Sequence, residues 1–254
     1  MTVSLRDAAL RGKPLTQALI IDWHVHLGRW LLTYSPVVDE AMFAAMERVG
    51  VSKICVNGSF FPSAREGNNR VAEFARRFPE RAVPFAFLNP YQNDLLDELK
   101  RCVEELGMRG LKVHSMIQGP HSRDAGLFDW SPVWEYCGRA GVPVLAHGIV
   151  HDEDIRRHPG TVFVIAHGIG VGLRMRGLRE CANAYVDTAW TQTRASSLKE
   201  MVEIIGGERI LWGSDAPLDD FAHRLGVVLD AGLSEEEQRK ILGLNAARLL
   251  RLSL

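Results

Sequence analysis

The sequence predicts an α/β protein built as a single (β/α)₈ barrel over residues 1–254, and three observations carry that prediction. Short β-rich runs alternate with amphipathic helical patterns from end to end, as expected of βα units around a parallel sheet. The runs number eight. Several of these apolar runs end in histidine or aspartate, and a barrel of this type gathers its chemistry at the C-terminal ends of its strands.

The strand-like runs are LIIDWHVH (19–26), VSKICVNG (51–58), AVPFAFL (82–88), RGLKVHS (109–115), VPVLAHG (142–148), VFVIAHG (162–168), AYVDTAW (184–190) and RILWGSD (209–215). Between them lie VVDEAMFAAMERVG, NNRVAEFARRF, DLLDELKRCVEELG and SLKEMVEIIGGE, each with apolar residues at helical spacing and often a closing glycine. The chain finishes with FAHRLGVVLDAG and SEEEQRKILGLNAARLL, where Ser234 and Glu237 have the spacing of a capping box. A doubly wound open sheet would give a similar string, but eight strands close most economically into a barrel.

Composition narrows the function. The 254 residues are 46% hydrophobic and 24% charged, and 30 basic residues nearly cancel 31 acidic ones to leave a formal charge of −1. That balance provides no field for nucleic acid or an anionic membrane, so a small-molecule substrate is expected. Cys55, Cys102, Cys137 and Cys181 are dispersed without a C-x-x-C pair, which suits free thiols in a reducing compartment. The N-terminus has no apolar signal-like core, and no run approaches membrane-spanning length. A cytoplasmic protein is expected, with homo-oligomerisation left open.

Strand alternation puts His24 and His26 on one face, directed into the barrel, and turns Trp23 and Val25 towards the helices. Two imidazoles at the mouth suit zinc and similar ions. An isolated H-x-H is weak evidence, but His147, His167 and Asp215 also end apolar strands. Metal coordination compensates such convergent buried groups. Lys112 and His114 form another same-face pair on the fourth strand and are candidates for substrate binding. Asp22 shares the face of His24 by alternation and is expected to accept a ligand N–H from one layer deeper, or to serve as a cap partner below the site. Arg174, with Arg176, Arg179 and Arg29, lies near the mouth and is a candidate grip for a substrate carboxylate.

The ordered set D-W-H-V-H, G-L-K-V-H, V-L-A-H-G, V-I-A-H-G-I-G, Y-V-D-T, W-G-S-D-A-P and I-L-G-L-N-A-A-R-L resembles the amidohydrolase-related metal-dependent hydrolases with a TIM-barrel fold. The branch it resembles also includes aminocarboxymuconate semialdehyde decarboxylase-like enzymes. The resemblance runs from about residue 19 to the C-terminus. It implies that His24, His26, His147 and Asp215 bind a divalent metal, zinc first or else manganese or another borderline ion, and that His167 approaches the metal-bound water or the substrate.

The leading expectation from the sequence is hydrolysis of an ester, lactone or amide of a small molecule. Asp215 would then move the proton and His167 would orient the water or stabilise the oxyanion, with Lys112, His114 and Arg174 holding the substrate. The alternative is a non-oxidative decarboxylase of an aromatic or unsaturated carboxylic acid, and a non-catalytic ligand-binding barrel is a minor third. One metal ion is favoured. For a two-ion site the resemblance implies Lys112, carboxylated, as the bridge, with His147 and His167 on the second ion; carboxylation requires a neutral amine, hence a depressed lysine pKa. No G-x-S-x-G elbow is present for a serine hydrolase.

Overall fold

The structure, a computed structural model, describes residues 3–28, 39–89, 94–115, 129–168, 171–189 and 195–253. Eight parallel strands follow one another around a single sheet in chain order. They are β1 (Ile21–His26), β2 (Lys53–Asn57), β3 (Ala82–Phe87), β4 (Gly110–His114), β5 (Val144–His147), β6 (Phe163–Ile165), β7 (Ala184–Asp187) and β8 (Ile210–Leu211). β8 is shorter than the run anticipated over 209–215. The backbone beyond it nevertheless stays beside β1: Trp23 N–H donates to Trp212 O, Asp215 N–H to His24 O and His26 N–H to Ala216 O. Those three bonds close the circle and make the barrel.

A short helix, α1 (Leu5–Leu10), precedes β1. The helices between the strands are α2 (Asp39–Val49), α3 (Ala64–Arg77), α4 (Leu95–Lys100), α5 (Ser131–Ala140), α6 (Asp152–Arg157), α7 (Val171–Gly177) and α8 (Ala195–Ile205). After β8 come α9 (Phe221–Leu229), α10 (Glu235–Arg239) and α11 (Asn245–Leu249). The capping box forms as expected: Glu237 N–H donates to Ser234 Oγ, and Ser234 N–H donates to Glu237 Oε2. Ala246 and Ala247 from the final helix, with Leu250 just after it, pack with Ile21, Leu145 and Leu211 and so close one end of the interior.

One expectation about the first strand is corrected. Asp22 pairs with Ile54 and Val25 with Val56, so three steps along β1 match two along β2. This is a β-bulge, and a bulge resets which face each residue takes. Trp23 therefore packs inside the barrel with Cys55, Val83 and Leu145, its ring edge-on to Phe85 at 5.1 Å, instead of facing the helices. Val25 faces the helices as anticipated. Phe85 in turn fills the space that a side chain at Gly110 would need, 2.5 Å from a Cβ built there. Trp23 and Phe85 form the apolar layer beneath the polar end.

The end of β3 is held by a buried network. Asn68 on α3 accepts the Phe87 N–H and donates to Phe87 O and Glu98 Oε1. Glu98 also receives Arg101 through two nitrogens, at 2.9 and 2.7 Å, and Arg65 at 3.1 Å. Burial pushes the Glu98 carboxyl up, but the bonds from Arg101 and Asn68 outweigh it and hold the pKa below the usual glutamate range. Glu98→Gln is expected to cost about 2 kcal/mol, since it weakens a buried carboxylate shared by several donors. The native pKa is lowered, so the stabilisation is present at neutral pH and lost as pH falls through that lowered value. The Tm difference between variant and parent should therefore narrow in acid; a gap that persists unchanged to low pH would contradict this account.

Candidate active site at the barrel mouth

His26, Asn57, His114, His147 and Asp187 are the last residues of their strands, while His167 and Asp215 lie just beyond β6 and β8. All but His147 are buried, and Lys112 on β4 is fully so. His167 and Asp215 have left-handed backbone, with φ of 65° and 67°. Such conformations cost roughly 1–3 kcal/mol each for residues with a side chain and gather where surrounding structure enforces them. Here the enforcement is visible: His167 N–H donates to Asp187 Oδ1 at 2.6 Å, and Asp215 N–H donates to His24 O at 2.9 Å. Gly213 leaves room beside them, because a Cβ there would stand 3.0 Å from His24 Cβ.

The donor atoms of His24, His26 and Asp215 all lie within 4.8 Å of one another. Asp215 Oδ1 is 3.0 Å from His26 Nε2 and 3.3 Å from His24 Nε2. The hydrogen bonds on the Nδ1 side favour one tautomer of each ring. Asn57 donates through Nδ2 to Val25 O, which orients its amide, and Ser59 spends its hydroxyl hydrogen on Asn57 Oδ1. His26 Nδ1, 3.1 Å from Asn57 Oδ1 and 3.0 Å from Ser59 Oγ, therefore faces two acceptors that a proton on Nδ1 would satisfy, which leaves Nε2, 3.0 Å from Asp215 Oδ1, for a cation. His24 Nδ1–H likewise donates to Asp187 Oδ2 at 2.8 Å. Burial first, and then the charge of Lys112, holds the pKa of both rings well below the usual histidine range. Each neutral ring thus keeps its Nε2 free of hydrogen beside the same carboxylate oxygen.

Two imidazole lone pairs and a carboxylate oxygen in mutual contact are a donor set for a cation. A divalent ion bound at about 2.0–2.2 Å would bring neighbouring N and O donors to roughly 3.0–3.4 Å from each other. The observed spacings fit. His24, His167 and Asp187 form a second such group, but both Asp187 oxygens are already occupied, Oδ1 by the amides of His167 and Ala189 and Oδ2 by His24.

The remaining imidazoles complete the mouth. His167 stacks on His24 with ring centroids 5.0 Å apart and meets His147 edge-on at 4.7 Å. His147 in turn lies 4.0 Å from His114, its neighbour in the strand register. Burial holds His147 and His167 down to about 3 and lowers His114 as well. The Nδ1 of His147 is buried with no hydrogen-bond partner among the described residues, beside the His24–His26–Asp215 cluster. Lys112 Nζ donates to His24 Nε2 at 2.7 Å. Burial brings its pKa down to about 8 against the opposing pull of Asp215 and Asp187.

Some sequence-derived residues fall elsewhere. Arg174 is not aimed into the site: its Nε donates to Asp152 Oδ1 and its terminal nitrogen to Val150 O, clamping α7 to α6. Arg176 is exposed beside Glu200, Arg179 is also exposed, and Arg29 lies outside the described residues. Asp22 accepts the backbone amides of His24 and Ser214 instead of a ring N–H, and burial pushes its carboxyl up to about 7. Asp187, Asn57 and Ser59 have no assigned role in the sequence reading. The signal for Asp187 was available, because it ends an apolar strand just as His147 does.

With this geometry in view, similarity to known proteins can be read. The family model described as amidohydrolase matches residues 21–252, and the chain belongs to that family. Among curated proteins it is 25% identical to gamma-resorcylate decarboxylase of Rhodococcus jostii (strain RHA1), over 84% of each chain. Among solved structures it superposes on 2,6-dihydroxybenzoate decarboxylase complexed with 2,6-dihydroxybenzoate, with a TM-score of 0.74, 17% identity, and 92% and 100% of the two chains covered. It also superposes on dihydroxybenzoic acid decarboxylase of Polaromonas sp. JS666 with bound manganese and 2-nitroresorcinol. There the TM-score is 0.73 at 18% identity, covering 92% and 97%.

Proposed function

We propose that this enzyme is a divalent-metal-dependent, non-oxidative decarboxylase of a small aromatic or unsaturated carboxylic acid. The observation that carries the proposal is the similarity to gamma-resorcylate decarboxylase over 84% of both chains. The sequence and the family resemblance place hydrolysis first, and the same ligand set serves either chemistry. The relatives turn that order round, so decarboxylation becomes the favoured reading.

His24, His26 and Asp215 would hold one divalent ion, with His147 as the further donor that the family resemblance implies. A bound ion supplies charge neutralisation and an anchor for substrate oxygens. Lys112 and His114, on the strand next to His147, would take the substrate carboxylate, the first as a buried cation and the second as a hydrogen-bonding partner. Asp215 would deliver a proton to the ring or alkene carbon, and His167, stacked on His24, would orient the substrate. The reaction balances as R–COO⁻ plus H⁺ giving R–H plus CO₂. The commitment of Asp187 to three N–H donors favours one ion over two. Manganese, bound in the Polaromonas relative, and zinc are the ions to try. The near-zero formal charge supports a small carboxylate as partner over nucleic acid. Among the described residues no helix is long and apolar enough to cross a membrane.

The test is to reconstitute the chelator-stripped protein with Mn²⁺ or Zn²⁺ and incubate it in D₂O with hydroxybenzoates and unsaturated acids, and separately with esters, lactones and amides. The expected result is CO₂ together with deuterium on the carbon that carried the carboxyl group. Hydrolysis products without CO₂ would return the first reading to favour.

A further inference from the structure

We infer that Asp187 is a positioning residue that decides which nitrogen of His24 faces the metal. The inference rests on the reading that His24 is a metal ligand. Asp187 is fully buried at the end of β7, and its two oxygens have different tasks. Oδ1 accepts two backbone amides, from His167 at 2.6 Å and from Ala189 at 3.1 Å, which locks the carboxylate in place. Oδ2 is then presented to His24 Nδ1 at 2.8 Å.

A neutral imidazole has one N–H, and the bond made by one nitrogen fixes what the other can do. With the proton held at Nδ1, Nε2 carries the lone pair: it accepts from Lys112 Nζ at 2.7 Å, with Asp215 Oδ1 3.3 Å away, and it is the lone pair a metal would take. With the proton at Nε2, that nitrogen could not ligate. The same carboxylate therefore holds the left-handed turn at His167 and the ligating tautomer of His24, and ties β1, β6 and β7 at one point. His26 is fixed independently, by Asn57 and Ser59, and serves as an internal reference.

Asp187→Asn separates these tasks because asparagine has one oxygen where three N–H groups need two. If the amide keeps its oxygen towards His167 and Ala189, it turns its NH₂ to His24 Nδ1, which must then accept and move the ring proton to Nε2. If it turns the other way, an NH₂ faces two backbone N–H donors and the turn at His167 is released.

The experiment reads ring tautomers by long-range ¹H–¹⁵N NMR on the metal-free full chain, and Zn²⁺ affinity by chelator competition. In the parent, His24 is expected as the Nδ1–H form. In Asp187→Asn, His24 should change to Nε2–H while His26 stays Nδ1–H, and the Kd for Zn²⁺ should rise about 10- to 100-fold. A variant with the parent's His24 tautomer or the parent's Zn²⁺ affinity overturns the inference. So does a variant in which His26 changes along with His24, since that marks general loss of structure. Should the variant not fold, Lys112→Met decides: with the donor to Nε2 removed, His24 should stay Nδ1–H if Asp187 sets the tautomer, and a change to Nε2–H would assign that role to Lys112 and refute the inference. A parent that binds no Zn²⁺ while the variant shows the selective His24 change would sink the metal reading yet uphold the positioning of the ring.

Discussion

Asp215→Asn is expected to fold like the parent and to lose at least about 10³-fold in turnover, with metal binding weakened in parallel. The substitution is informative because of the backbone. Asp215 has φ of 67°, and asparagine is among the few residues with a side chain that accept the left-handed region readily. The bond from Asp215 N–H to His24 O would survive, so the barrel closure is preserved. What changes is the oxygen on which both Nε2 atoms converge: it loses its negative charge, and the side chain loses its ability to carry a proton. General acid or base groups contribute about 10²–10⁴-fold, and removing an anionic ligand adds to that. The measurements are kcat on the best substrate found, bound metal per chain, and Tm. Turnover within tenfold of the parent at full metal loading would exclude Asp215 from proton transfer.

Lys112→Met should keep or raise stability while losing activity. Lys112 is fully buried at the centre of the mouth, and burial brings its pKa down to about 8. Methionine has a similar length and no charge to desolvate. Once a divalent ion supplies positive charge to Asp215, the metal-loaded variant should be at least as stable as the parent. The ratio kcat/KM should fall about 10²-fold or more if the ammonium holds the substrate carboxylate, chiefly through a higher KM for the acid. Thermal denaturation with metal present, alongside steady-state kinetics, checks both halves. A destabilised variant with intact KM would make Lys112 a structural residue.

The barrel was legible because its two periodicities are strong: eight short apolar runs, separated by helical segments of ordinary length, leave few topologies open. The polar ends of those runs were legible for the same reason, and His24, His26, His114, His147, His167, Lys112 and Asp215 do gather at one mouth. Two things were hidden. Alternation cannot reveal a bulge, because the extra residue in β1 shows only in its pairing with β2, so Trp23 was assigned to the wrong face. Nor can a sequence show where a polar atom spends its hydrogen bonds. Arg174, drawn to Asp152 and Val150, and Asp187, drawn into the site, could not be sorted by residue type alone. Reaction class was the least accessible of all, since the ligating residues are common to hydrolysis and decarboxylation.

The bulge in β1 also bears on transplanting this chemistry. On a regular strand, neighbouring residues face opposite ways, so a bulky floor and a ligand above it must be two positions apart. Here Trp23 and His24 are consecutive and both serve the interior. A designer who grafted the histidine pair onto an unbroken strand of another barrel would obtain either the ligands or the floor, facing outward in the other case. The unit to move is the pair together with its extra residue and the partner strand that accommodates it.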